Sequence, residues 1–288
     1  MQQAQSIDHH DSEGRSSISD AASIPSLTHT EAAEMATVEL ERFLACVEAL
    51  APADWDQSTA CTLWNVRQVL AHVTGAAASY ARWSQFKRQT SLFVQRPYRQ
   101  AGFSLNDALN QIQVDDRGAA TPADLLAELR EVGPRAIATR KRLPAIVRAM
   151  RLPLPLLGVV PLGYLTDLIY TRDMWMHRLD ICRVTGREMV QTPRHDGRIT
   201  ALVVRDLARK LTPKLAGQAV VYELTGISGG CWSLGENASP IARITMDVLD
   251  FHLLAAGRLP AHELSSHASF SGEEQIARLA LDNTQVPY

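Results

Sequence analysis

Apolar positions in the first two thirds of the chain recur at helical spacing, and alternating, strand-like runs appear only after Gly186. Ala33, Val38, Phe43 and Val47 give a broken helical stripe that starts near Thr30, with Glu31 in its first turn and Pro52 beyond its end. Val66, Val69, Leu70, Val73 and Ala77 follow Asn65-Val66-Arg67-Gln68, which reads as a capping box with Asn in the cap position. That helix is expected to run to about Gln89. Thr121-Pro122-Ala123-Asp124 opens a third, with Leu125, Leu129 and Val132 on its apolar side, and Gly133-Pro134 is expected to kink or restart it. The proline-rich stretch from Leu152 to Pro161 reads as a connector, and a fourth helix from about Leu162 to Thr185 ends at Gly186. Four such helices suffice for an up-and-down bundle with some long connections.

Beyond Gly186 the pattern mixes periods. Residues 194–212 read as a helix, Ala219 to Thr225 as a strand, Gly226 to Gly230 as a turn, and Cys231 to Leu234 as the returning strand. Ile241 to Met246 predicts another strand, Val248 to Ala256 a helix ending at Gly257, His267 to Phe270 a last strand and Glu273 to Leu281 a last helix. The fold class is therefore α plus α+β: a tail over 1–29, a helical bundle over 30–190 and a smaller α+β part over 191–288.

Composition narrows the function. The 288 residues are 46% hydrophobic and 21% charged with a net charge of −2, ordinary for a globular protein, and no Lys/Arg cluster points to nucleic acid or an anionic membrane. No apolar run reaches the roughly 18 residues of a membrane span. The first thirty residues, rich in Ser, Asp, His and Gln, have no secretory pattern and read as a disordered tail, in which His9 and His10 read as a chance pair. Cys46, Cys61, Cys182 and Cys231 stand far apart without a CxxC pair, which fits a reducing, cytoplasmic setting with each thiol a small buried residue.

The informative chemistry lies on the fourth helix. Asp173, His177 and Asp180 fall at i, i+4 and i+7 and share one face, so a carboxylate and an imidazole can grip one ion from consecutive turns. Both donors suit a divalent cation such as zinc. His72, set among apolar residues of the second helix, can add a third donor if the two helices pack, leaving a fourth position open; Asp180 suits an outer partner for a ligating histidine. The same spacing is also that of exposed helix pairs, and His72 alone fits a hydrogen-bonded core histidine.

The stretch Trp55 to His72 (WDQSTACTLWNVRQVLAH) resembles the signature of the mycothiol-dependent maleylpyruvate isomerase family within the DinB-like metalloproteins. Arg172 to Gly186 (RDMWMHRLDICRVTG) is similar to the family's Glu-x-x-x-His-x-x-Asp helix, with Asp173 where the family has Glu. The resemblance implies metal ligands at His72, Asp173 and His177, an aspartate partner at Asp180, and a DinB-like four-helix bundle. Tyr222 to Gly226, Trp232 to Leu234 and Phe251 to Arg258 resemble the family's C-terminal domain, of sterol-carrier type, whose arginine implicated in activity would be Arg258; a charge at a helix C-terminus is the alternative for that residue. The function so implied is a zinc-dependent isomerase or S-transferase that uses mycothiol on a small electrophile, with Arg258 holding a substrate carboxylate, in a cytoplasmic monomer or homodimer. A non-catalytic ligand-binding protein with a vestigial metal site, or a metal-dependent hydrolase, are the competing expectations.

Overall fold

The computed structural model describes residues 17–61, 63–154, 156–236, 239–264 and 267–288; His9 and His10 lie outside them. Four helices make the bundle: α1 (His29–Glu48), α2 (Val66–Ala81), α6 (Pro122–Lys141) and α9 (Tyr170–Thr185). Each begins or ends on the chemistry its sequence carries. Thr28 and Glu31 close a reciprocal capping box on α1, Asn65 and Gln68 do so on α2, Thr121 and Asp124 on α6, and Gly186 ends α9 in the left-handed conformation at φ 66°. Their facing sides bury Phe43, Val66, Val69, Leu70, Leu125, Leu129, Val132 and Ile181 in one core.

Three helices, α3 (Trp83–Thr90), α4 (Leu92–Gln100) and α5 (Leu105–Asp115), connect α2 to α6. The expected single helix from Asn65 to Gln89 is therefore two: Arg82 leaves the helix at φ −136° and ψ 115°, and its guanidinium reaches Glu128 and Glu131 of α6 at 2.9 Å each. The restart expected as one option at Gly133-Pro134 does not occur. The helix runs through both residues, and a side chain at 133 would stand 2.7 Å from Leu40 Cδ2, so glycine there serves the close approach of α1. After the short α7 (Ala145–Arg148), the proline-rich connector forms a hairpin of β2 (Arg151–Leu154) and β3 (Gly158–Pro161). The fourth helix starts as a single turn, α8 (Leu162–Tyr164), and widens to a π turn over Leu165–Ile169 before α9 begins.

The remaining chain builds α10 (Asp196–Leu211), β4 (Ala219–Thr225), β5 (Gly230–Gly235), β6 (Ala242–Asp247), α11 (Val248–Ala255), α12 (Ala261–Leu264), β7 (Ser269–Gly272) and α13 (Glu274–Asp282). The fold class expected from the pattern is the one observed, a helical bundle followed by a mixed sheet with helices. The sheet has one further member. Part of the segment expected as tail, Ser19–Asp20, is β1, so the order is β1-β5-β4-β6-β7, with β1 parallel to β5 and β4 parallel to β6. Ala21 just after β1 is fully buried in the same core as Val203, Leu207, Tyr222 and Phe251.

A third apolar layer of Met35, Trp175, Met176, Leu179, Cys182, Met189, Ile199 and Leu253 joins the bundle to the sheet half. Beside it runs a buried polar network: Glu39 and Asp196 hold Arg178, Asp196 also accepts from Trp175 Nε1 at 2.8 Å and pairs with Arg42, and His195 Nε2 meets Glu39 at 2.9 Å. Every charge there has a partner, which is the condition for burying it. No helix among the described residues is long and apolar enough to cross a membrane.

Candidate metal centre

The loop before α2 is folded by its own backbone and by one hydroxyl. Thr59 N and Oγ1 both donate to Trp64 O, at 3.2 and 2.8 Å, and Trp64 N donates to Cys61 O at 2.8 Å. Val66 N and Arg67 N return to Gln57 O and Trp55 O at 3.0 Å each. This clasp sets the Trp64 ring over His72, with centroids 4.7 Å apart and planes 29° from parallel. His72, on the buried face of α2, is thereby held by an aromatic wall and is only 3% exposed.

From α9, Asp173 and His177 meet that ring. His72 Nε2 lies 3.2 Å from Asp173 Oδ2, His177 Nε2 lies 3.5 Å from Asp173 Oδ1, and the three donor atoms are all within 4.8 Å of one another. Asp180, one turn on and fully buried, accepts from His177 Nδ1 at 3.1 Å. Its Oδ2 also pairs with Arg258 Nη2 at 3.1 Å. Arg258 is delivered by the end of α11, where Gly257 takes φ 68° and Arg258 N caps Leu253 O at 2.8 Å. All five residues singled out in the sequence thus come together, His72, Asp173 and His177 facing one another, Asp180 and Arg258 behind them.

The electrostatics follow from that packing. Burial alone would raise the Asp173 carboxyl, but His177 and His72 outweigh it and hold the group well below the usual carboxylate range. Burial likewise works against protonation of His177, and Asp173 with Asp180 overcomes it, lifting the imidazole to about 9. An arrangement that clamps a proton between a carboxylate and an imidazole is one that a cation can replace. The residues fit a divalent ion. Two imidazole nitrogens and a carboxylate converge, and donors around a tetrahedral zinc sit about 3.3 Å apart, close to the distance from each imidazole nitrogen to its nearer Asp173 oxygen. The second nitrogen of His177 is fixed by a carboxylate, as metal-ligating histidines commonly require. Asp173 is the accessible edge of the cluster, with 28% of its side chain exposed against 4% and 2% for the two histidines.

Sequence reasoning passed over what surrounds this edge. Asp173 and Met174 line a narrow cleft with Ala77, Tyr80, Tyr170 and Arg140. Arg140 is buried under the two tyrosine rings, 5.9 and 5.2 Å from their centroids, and donates to Thr166 O at 3.2 Å, yet makes no ion pair among the described residues. Its burial works against its charge and lowers its pKa. On the other side, Cys61 of the clasped loop lies within electrostatic reach of Arg258, Asp180 and Asp173, and burial holds its thiol above the ordinary range. No periodicity marks Arg140; the one available signal was a basic residue on the helix that faces Asp173.

Among curated proteins, none matches this chain. Its fold is similar to that of the crystal structure of the mycothiol-dependent maleylpyruvate isomerase, at 15% identity, and to that of a histidine-to-alanine mutant of the isomerase, at 14%. Each likeness has a TM-score of 0.55 and covers 89% of this chain and 97% of the other. The pattern that defines the mycothiol maleylpyruvate isomerase N-terminal domain matches residues 36–182, a span that takes in the clasped loop, His72, Asp173, His177 and Asp180. With more than half of its length so matched, the chain belongs to the mycothiol maleylpyruvate isomerase N-terminal domain family.

Proposed function

We propose that the protein is a metal-dependent enzyme that uses mycothiol, as isomerase or S-transferase, on a small carboxylate-bearing electrophile. The observation that carries this reading is the convergence of His72, Asp173 and His177 on one point, with Asp173 as its accessible edge. These three residues would hold the ion, zinc being the one that best suits two imidazoles and a carboxylate. When bound, such an ion favours the thiolate form of a small thiol at neutral pH and acts as a Lewis acid.

The chain's own residues do the rest. Asp180 accepts a hydrogen bond from His177 Nδ1, so that Nε2, which faces Asp173, is the nitrogen from which a cation would displace the proton. Trp64 fixes the plane of His72. Arg258, tied to Asp180 through Nη2 and 20% exposed, steadies that carboxylate and keeps the role expected from the sequence of holding a substrate carboxylate, with Arg140 as a second candidate. Arg140 has an unspent charge on the cleft that Asp173 shares, and a carboxylate entering there would complete a bidentate pair. A thiolate that adds to a conjugated double bond leaves a single bond free to rotate, and its departure restores the double bond in the other geometry. In a transferase the thioether stays. The reading also divides the chain near residue 190, with β1 counted to the sheet half.

Metal analysis of the purified protein, combined with turnover of maleylpyruvate and a panel of electrophiles with and without mycothiol, tests the reading. It expects one divalent ion per chain, lost in His177→Ala, and turnover that depends on the thiol. A metal-free protein indifferent to thiol would refute it, and thiol-independent hydrolysis would replace it with a hydrolase.

A further inference from the structure

Two of the four cysteines are partners in space. Cys46 on α1 and Cys182 on α9, distant in sequence, bring their sulfur atoms to 3.6 Å. Both line a cavity of about 440 Å³ whose wall also holds Arg42, Arg178, Arg187 and Glu188. A pair of cysteines serving only as apolar filler would face side chains on every side; these two residues line a cavity beside Arg42, Arg178 and Arg187, whose charges are shared with Asp196, Glu39 and Asp54. Cys61 and Cys231 stand apart, each without a neighbouring thiol among the described residues.

We propose that Cys46 and Cys182 form a dithiol site that exchanges with an anionic low-molecular-weight disulfide and closes into a bond between α1 and α9. Either sulfur can donate across the 3.6 Å contact; with Cys46 as donor, that hydrogen bond and the charges of Arg178 and Arg187 favour the Cys182 thiolate against its burial and the charge of Glu39, and Cys46 stays protonated. Arg178 stands one turn before Cys182 on α9, which sets Cys182 as the attacking sulfur. Its thiolate displaces one half of the small disulfide, which leaves as a thiolate, and a mixed disulfide remains on Cys182. Cys46 then attacks Cys182 Sγ, its proton passing to the departing thiolate of the second half. The protein loses two protons and two electrons, and the small disulfide gains them as two thiols. Closing the bond needs the sulfurs to approach from 3.6 Å to the disulfide length of about 2 Å. Of the three guanidinium groups Arg187 is the one at the cavity's edge, 36% exposed, with Nη2 on Asp54 at 3.1 Å and Nε without a partner, and it gives the cavity its preference for a carboxylate-bearing reagent.

The test uses the full-length protein, incubated with oxidised glutathione or, in a parallel arm, with the neutral bis(2-hydroxyethyl) disulfide, then alkylated and mapped by mass spectrometry. The expected product is two hydrogens lighter and yields a Cys46–Cys182 cross-linked peptide, with Cys61 and Cys231 alkylated and the original mass restored by dithiothreitol. Oxidised glutathione reacts several-fold faster than the neutral reagent, an advantage that shrinks in Arg187→Gln. In Cys46→Ser, Cys182 stops at the mixed disulfide. Four alkylated cysteines in the treated wild type, or a bond involving Cys61 or Cys231, would overturn the site. Equal rates with the two reagents would overturn the role given to the arginines.

Discussion

Asp180 offers the sharpest separation between a metal centre and a buried polar cluster. Its Oδ2 serves two partners at once, His177 Nδ1 and Arg258 Nη2, both at 3.1 Å, and its side chain is wholly buried. Asp180→Asn keeps an acceptor for His177 but removes the charge, and Asp180→Ala removes both. If the aspartate orients a ligating histidine, metal affinity falls by about tenfold in the first variant and nearer 100-fold in the second, the range found for outer partners of metal ligands. Each variant also strands Arg258, which is 20% exposed and so not fully desolvated; losing one partner of such a pair costs about 1–3 kcal/mol of stability. The two effects separate in a double variant. Asp180→Asn with Arg258→Met has no stranded charge, so its thermal midpoint recovers towards wild type, while its metal affinity stays low. Affinity is read by competition with a chromophoric chelator, and stability by melting of the metal-stripped protein. A folded Asp180→Ala variant that binds zinc as tightly as wild type would refute the orientation argument.

Arg140→Met, with the buried stem kept and the charge removed, raises KM for a carboxylate-bearing substrate by about tenfold or more with a smaller change in kcat, as expected for one lost charge-assisted hydrogen bond; an unchanged KM returns the carboxylate to another residue. Gly75→Ala lowers the thermal midpoint, because the new methyl would sit 2.5 Å from Gln113 Cβ and 2.9 Å from its Cγ, and this overpacking, about 1–3 kcal/mol, exceeds the roughly 1 kcal/mol gained in helix propensity. His252 is buried between Thr200 and Tyr288, and burial, reinforced by Arg172, holds its imidazole down to about 3. Between that value and the ordinary 6.5 the unfolded chain takes up a proton that the folded chain refuses, so stability is lost as pH drops through that window, by roughly 1.4 kcal/mol per unit. Urea midpoints at pH 7 and 4.5 check this, and His252→Gln flattens the difference; parallel profiles would count against it.

What the sequence made legible was whatever it encodes locally. Asn65 with Gln68, Thr121 with Pro122 and Asp124, and Gly186 mark helix ends through hydrogen bonds made within a few residues, and the observed ends agree. The shared face of Asp173, His177 and Asp180 is likewise a matter of helical period. The failures have long-range causes. Nothing between Ala76 and Gln89 announces a break; Arg82 leaves the helix for two glutamates on another one. Gly133-Pro134 looks like a breaker until Leu40 is known to press on it. Arg258 was picked out by resemblance, but its partner Asp180 lies far back in the chain, and no spacing rule connects them. Cys46 and Cys182 read as isolated thiols for the same reason.

The place of β1 has a consequence for how this chain is made and cut. Ser19–Asp20 leaves the ribosome before the bundle, yet the edge it completes, Trp232 and Ser233 of β5, is made long after it. The opening residues must therefore wait, unsheltered, while every helix of the bundle is synthesised. Clones trimmed to begin at the first helix, a natural choice for anyone guided by residue 30, would leave β5 with a bare margin and a hole where Ala21 belongs. The sheet half draws on residues from both ends of the bundle, and attempts to express it alone should carry residues 17–24 grafted to it rather than start at residue 191.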